Sequence, residues 1–268
     1  ISRAIGSEAR DQGITRLLVG FDGRLSSPTL SRALIDGLLE SGCDVVNLGL
    51  IPTPLLYFAA HTGDTDSGVM LTASHNPANY NGIKIVFRRS SLAANQIQEI
   101  RQRILDNRLH HGQGRLEERD LRQTYRQAIT DNISLRRPLK VVVDCGNAVP
   151  GVVAPQLFRD LGCTVYPLFC DVDGHFPNHH PDPTIPANLE LLAELFAGIL
   201  EDEYGDSAMP GAEEYGPSEV PPQTSGPRTI PPGTGAPGAT ADDEKVVLRA
   251  TATISYDKYG DAYLMTSD

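Results

Sequence analysis

Short apolar runs alternate along the chain with amphipathic stretches and with turn-forming residues. Residues 16–21 carry Leu17-Leu18-Val19 at their centre and read as a buried strand, with Asp22-Gly23-Arg24 as its exit turn. Ser26-Ser27-Pro28 opens a helix, since serine caps free amides and proline suits the first helical position. Leu30, Ala33, Leu34, Gly37 and Leu38 then share one helical face, and Gly42 ends it. Residues 44–48 form the next strand, residues 49–54 a turn, and residues 55–61 a second helix. Residues 69–71 and 83–87 are apolar runs of strand length, the second broken only by Lys84. Strand, helix, strand, helix, strand predicts an α/β fold, a layered mixed sheet with flanking helices. In such sheets ligands collect at the carboxyl ends of strands, and both Arg24 and Ser74 lie just after strands.

Farther along, residues 94–107 and 120–132 read as helices, with Arg119, Arg122 and Arg126 expected on a solvated face. Residues 133–138 are a candidate domain joint. Beyond it, residues 139–144 (strand), 152–161 (helix) and 164–169 (strand) repeat the order of residues 16–48 and start a second, incomplete α/β domain. Its apolar strand residues Val141, Val143, Val165 and Leu168 are expected to lack partners, leaving marginal stability beyond residue 135. Residues 171–186 form a polar, proline-rich loop with His175, His179 and His180, whose spacing argues against a metal. Residues 187–201 begin as a helix. Residues 204–238 then hold 8 prolines and 7 glycines in 35 positions, a composition suited to a linker or disordered segment. Residues 246–255 alternate loosely enough for one strand without partners. The expected organisation is therefore 1–134, 135–200, a Pro/Gly-rich 201–245, and a tail of unknown role at 246–268.

Candidate chemistry centres on the loop between the runs at 69–71 and 83–87. Pro77 biases Asn76 toward extended backbone, while Asn79, Asn81 and Gly82 suit tight turns. The loop holds Ser74, His75 and Asn76 out at a strand end. A serine hydrolase would need a Gly-x-Ser-x-Gly elbow, but Thr72 and Asn76 occupy the glycine positions. On an extended backbone His75 would also project away from Ser74. Phosphoryl transfer asks chiefly for charge neutralisation, which Lys84 can supply.

Thr72-Ala73-Ser74-His75-Asn76-Pro77, followed by Tyr80-Asn81-Gly82-Ile83-Lys84, resembles the phosphoserine loop of the α-D-phosphohexomutases, the family of phosphomannomutase and phosphoglucomutase. The resemblance runs to about residue 195 and takes in Phe176 to Pro183, similar to a loop of the family's second domain. It implies interconversion of hexose 1-phosphate and 6-phosphate through hexose 1,6-bisphosphate. Ser74 would carry the phosphate and His75 and Lys84 would assist its transfer. Arg24 would clamp phosphate or brace the loop, and Asn76 would contact phosphate. The resemblance also implies Mg2+ bound through the phosphate of Ser74 and three aspartates of an Asp-Gly-Asp-Gly-Asp-Arg loop. No such sequence follows residues 187–201. The alternative expectation is a truncated, inactive fragment that acts at most as a phosphosugar-binding or interaction module.

Composition narrows the picture further. The chain has 268 residues, 40% hydrophobic, enough for a sizeable core. Its net charge of −11 is uneven: residues 1–195 carry 19 Lys and Arg against 21 Asp and Glu, residues 196–268 carry 4 against 13. Nothing in that balance suggests a nucleic-acid footprint, and no apolar run approaches a membrane span. The sequence begins Ile1-Ser2-Arg3 without Met, so a preceding segment is expected. Four cysteines with no C-x-x-C pair suggest buried thiols in a reducing cytoplasm rather than a disulfide frame or zinc site.

Overall fold

The computed structural model describes residues 1–204, 253–256 and 262–265. The Pro/Gly-rich stretch and most of the segment after it lie outside the described residues. The principal sheet has six strands in the order β5-β4-β3-β1-β2-β6. They are β1 (Arg16–Phe21), β2 (Asp44–Leu50), β3 (Gly68–Leu71), β4 (Ile83–Phe87), β5 (Ser90–Ser91) and β6 (Leu116–Glu118). β1 runs parallel to β2 and β3, and β2 parallel to β6. The hairpin return at β4 and β5 is antiparallel.

Strand alternation sorts the apolar residues into two cores. On one face Leu17, Val19, Val45, Val69, Leu71, Ile85 and Phe87 meet helices α1 (Ser2–Asp11), α2 (Ser27–Glu40) and α4 (Ala94–Leu105) through Ile5, Leu34, Leu38 and Ile100. On the other, Leu18, Val46, Leu48, Met70 and Val86 pack against Leu55, Leu56 and Ala59 of α3 (Thr53–Thr62). Leu121 and Tyr125, at the start of α5 (Arg122–Asn132), extend that second layer. The sheet is thus covered on both sides, as a mostly parallel sheet must be.

The sequence reading did not anticipate α1, β5 or β6. α1 buries mainly small residues, Ala4, Gly6, Ser7 and Ala9, around one large side chain, Ile5. It is anchored by Arg103, whose guanidinium donates to Glu8 and Asp11. β6 is a short, exposed, acidic edge strand that pairing with β2 alone creates.

After α5 the chain forms a separate parallel pair, β7 (Lys140–Asp144) and β8 (Thr164–Leu168), linked by a 3-10 turn and α6 (Ala154–Asp160). The expected exposure of Val141 and Val143 is not found. Both are buried, packed with Ala154, Phe158 and Leu161 of the crossover, because α6 folds back over the strand pair. Val165 and Leu168 are half-buried. The joint at 133–138 falls between the two sheets; the β7–β8 pair has a cluster of its own, but part of its crossover reaches the larger sheet. Val153 is buried among Leu18, Val46 and Leu55 of the larger sheet's second layer. The arginines expected to be merely solvated are paired as well: Arg126 with Asp160 of α6, Arg119 with Asp64 and Glu117. A 3-10 turn, Pro186–Leu189, leads into α7 (Glu190–Tyr204). The loose strand expected at 246–255 is described only from Thr253: β9 (Thr253–Tyr256) has an antiparallel partner, β10 (Ala262–Met265).

Candidate active site

The loop from Thr72 to Gly82 leaves the carboxyl end of β3 and returns as β4. Its mouth is closed by the Thr72 amide donating to the Gly82 carbonyl, 2.9 Å. Inside it, the Ser74 amide donates to Thr72 Oγ1 at 3.1 Å and the Asn76 side chain donates to the Ala73 carbonyl at 2.9 Å. Ser74 itself adopts φ 55°, the left-handed region. For a residue with a Cβ that conformation costs about 1–2 kcal/mol, so other interactions must hold it.

Arg24 supplies them. Its guanidinium is 2% exposed and donates to the carbonyls of Ser74 (2.9 Å), Asn76 (2.7 Å) and Pro77. Nε donates to Asp22 Oδ2 at 3.1 Å. The planar fork is therefore committed to loop backbone, and of the two expectations for Arg24 the geometry fits bracing rather than a phosphate clamp. Asp22, which sequence reasoning passed over, is the hub beneath it. Its carboxylate accepts from Ser27 Oγ at 2.6 Å, from the Arg24 amide and side chain, and from the Ala73 amide. Its position at the end of β1, ahead of a serine-rich helix start, was the available signal. Near the loop's return, Asn81 donates to Ser26 Oγ, outside the loop.

The left-handed turn at Ser74 corrects one expectation. His75 does not project away: its Nδ1 lies 3.3 Å from Ser74 Oγ, because the backbone between them is not extended. Burial holds His75 below the usual imidazole range. The Asp182 carboxylate opposes that shift, and the charges of Lys84, His180 and Arg24 reinforce it. Lys84 sits on β4 opposite Met70 of β3, near enough for its charge to act on His75.

The facing wall comes from residues 144–189. Ser74, His75, Thr72, Asp22 and Arg24 share one pocket with Asp144, Cys145, Gly146, Phe176, His179 and Leu189. The loop after β8 docks directly on the brace: the Phe176 ring lies 5.5 Å from Arg24 Cζ, within cation–π reach. Gly174 packs so close that a Cβ there would lie 2.5 Å from the Leu25 amide nitrogen. His179 Nε2 faces the Asp144 carboxylate at 3.1 Å, and its Nδ1 donates to the His180 carbonyl at 2.9 Å. Neither His179 nor Asp144 was singled out as a site residue from the sequence.

Residues 1–111 match the family model described as phosphoglucomutase/phosphomannomutase, alpha/beta/alpha domain I, and residues 123–199 match domain II of the same family. The chain belongs to the phosphoglucomutase/phosphomannomutase family. Phosphomannomutase/phosphoglucomutase of Pseudomonas aeruginosa is 52% identical over 212 residues, 77% of this chain and 46% of that protein. Phosphoglucomutase of Neisseria meningitidis serogroup B is 46% identical over 204 residues, 75% of this chain and 44% of that protein. A solved phosphoglucomutase/phosphomannomutase family protein of Burkholderia thailandensis superimposes with a TM-score of 0.70 at 48% identity, covering 73% of this chain and 45% of that one. The chain thus spans about half the length of these relatives. Their names do not favour the alternative of an inactive fragment.

Among the described residues no three His, Cys, Asp or Glu side chains come together in a way that would hold a metal ion. The described donors thus do not fit the Mg2+ that the family resemblance implies, and no step is assigned to it. Among the same residues no helix is long and apolar enough to cross a membrane.

Proposed function

We propose that this chain carries the phosphoryl-relay serine of a phosphohexomutase acting on hexose 1-phosphate and hexose 6-phosphate. The observation that carries this reading is Ser74 held in a left-handed turn at a strand end, with its hydroxyl against His75 and its carbonyl clamped by Arg24. In the transfer, the bond between phosphorus and a sugar oxygen of hexose 1,6-bisphosphate breaks and a bond to Ser74 Oγ forms. The serine proton passes to His75, which is neutral at physiological pH because it is buried beside cations, and a proton is returned to the departing sugar oxygen to give its hydroxyl. The charge of Lys84 offsets the transferring phosphoryl group. Arg24 keeps the loop in register, and Asn76 ties the loop to Ala73 while remaining at its exposed edge near incoming phosphate. The substrate class, the bisphosphate and a cytoplasmic location belong to this proposal. They are supported by the family and by four cysteines with no C-x-x-C pair.

Intact-mass measurement after incubation with glucose 1,6-bisphosphate tests it. One added phosphate, absent from Ser74→Ala, is expected. A phosphate that persists in Ser74→Ala would place the acceptor elsewhere and end the assignment.

A further inference from the structure

Two cysteines meet in the wall facing Ser74. Cys145 follows β7 directly and Cys170 lies two residues beyond β8. Strand register dictates the meeting: Asp144 pairs with Leu168, the Cys145 amide donates to the Leu168 carbonyl at 3.0 Å, and the Asn147 amide donates to the Phe169 carbonyl at 2.7 Å. The two sulfurs are left 3.3 Å apart. Cys170 Sγ also lies 3.3 Å from the carbonyl oxygens of Val143 and Leu168. Cys145 is buried yet lines the pocket, and Cys170 is half-buried, so a molecule the size of peroxide can reach the pair.

We propose that Cys145 and Cys170 form a reversible redox dithiol, a modification site for small peroxides built into the pocket wall opposite Ser74. A disulfide needs the sulfurs at about 2.05 Å, and they start 3.3 Å apart. The two thiols are also unequal. Sharing a proton with Cys145 pulls Cys170 below the usual thiol range, although burial and the Asp144 charge act the other way. The same contact, with burial, pushes Cys145 up. Cys170 is then the attacking sulfur and Cys145 the resolving one.

The chemistry balances with hydrogen peroxide as the oxidant. The Cys170 thiolate attacks one peroxide oxygen, the O–O bond breaks, and a sulfenic acid forms. The departing hydroxide takes the Cys145 proton and leaves as water. The Cys145 thiolate attacks the Cys170 sulfur, the S–S bond forms, the S–O bond breaks, and the hydroxide that leaves takes up the proton Cys170 released on becoming a thiolate, giving a second water. Peroxide gains two electrons and each sulfur loses one. A dithiol reductant reverses the change. The new bond ties down the residue next to Asp144, whose carboxylate holds both the Gly146 amide at 2.8 Å and His179. Oxidation therefore stiffens the wall that faces Ser74.

The test is independent of any mutase activity. The chain is treated with an equimolar amount of hydrogen peroxide, remaining thiols are alkylated, and peptides are mapped by mass spectrometry. The expected result is the loss of two alkylation sites, Cys145 and Cys170, joined in one peptide pair that dithiothreitol separates. Cys43 and Cys163, both buried with thiols pushed up by burial, stay fully alkylated. In Cys145→Ser, dimedone should label Cys170; in Cys170→Ser it should leave Cys145 unlabelled. Free alkylation of both cysteines in the treated chain, linkage to any other cysteine, or oxidation of Cys170 to sulfonic acid without a link would each overturn the proposal. Should a variant not fold, the wild-type peptide map decides alone.

Discussion

Arg24 and Asp22 show how a single buried pair fixes the loop that holds Ser74. The guanidinium and carboxylate satisfy each other, and the remaining donors reach three carbonyls of residues 74–77. Replacing Arg24 with alanine would leave the buried Asp22 carboxylate without its countercharge, held only by Ser27 Oγ and backbone amides, and free the left-handed turn to relax. Arg24→Ala should therefore lower the unfolding free energy by about 3 kcal/mol in urea titration and abolish phosphate uptake at Ser74. Arg24→Lys should keep the charge but lose the fork, and recover stability without recovering uptake. His75 offers a pH test. Its folded pKa lies below the ordinary value of 6.5, so protonation on folding is disfavoured and the ring stays neutral as pH falls through 6.5. Phosphate uptake at Ser74 should hold steady to below that pH, then decline, while His75→Gln should show a low rate without that decline. A wild-type decline centred at or above pH 6.5 would mean that burial does not govern this ring. The proposal that Ser74 is the reactive residue was readable from eleven matched loop positions. The left-handed backbone of Ser74, and hence its contact with His75, was not, because φ at a serine is decided by what clamps the neighbouring carbonyls.

At the scale of elements, the six-stranded sheet follows from alternating apolar residues, whereas its flanks depend on close approach. α1 and α2 cross so tightly that a Cβ at Gly6 would lie 2.0 Å from Ser41 Oγ, and one at Gly37 would lie 2.1 Å from Ser2 Oγ. The Ser41 hydroxyl is buried and donates to the Leu38 carbonyl at 2.6 Å, so it cannot swing away freely. Gly6→Ala should push the helices apart and lower stability by about 2 kcal/mol, seen as an earlier thermal midpoint with unchanged helical content. α1 escaped the sequence reading because Ala4, Gly6 and Ala9 make a weak apolar stripe. Their small size, which hides the helix in sequence, is what lets it sit against α2. β6 escaped for the opposite reason: Leu116-Glu117-Glu118 has no strand pattern at all, and Arg16 and Arg119 hold Glu117 at the edge.

For residues 1–193 as a whole, the second sheet keeps its own apolar cluster but is tied to the larger sheet through its crossover. This stretch forms one compact unit, and Val153, from the crossover of the second sheet, fills a place between β1, β2 and α3. Heating should therefore melt both sheets in one transition, with equal calorimetric and van't Hoff enthalpies. Val153→Ala should lower that single transition by about 2 kcal/mol; two resolved transitions would mean that the sheets fold separately. The chain's own letters determined the α/β class, the order of the strands and helices with clear apolar periodicity between residues 16 and 168, and the loop that holds Ser74, because periodicity and turn residues act within a few positions. Only the tertiary structure decided that Arg24 braces the loop, that His75 turns toward Ser74, that Asp144 and His179 line the facing wall, and that two cysteines 25 positions apart come within 3.3 Å. Those outcomes depend on which strand ends lie side by side, and that is set by burial of the whole core rather than by any local stretch of residues.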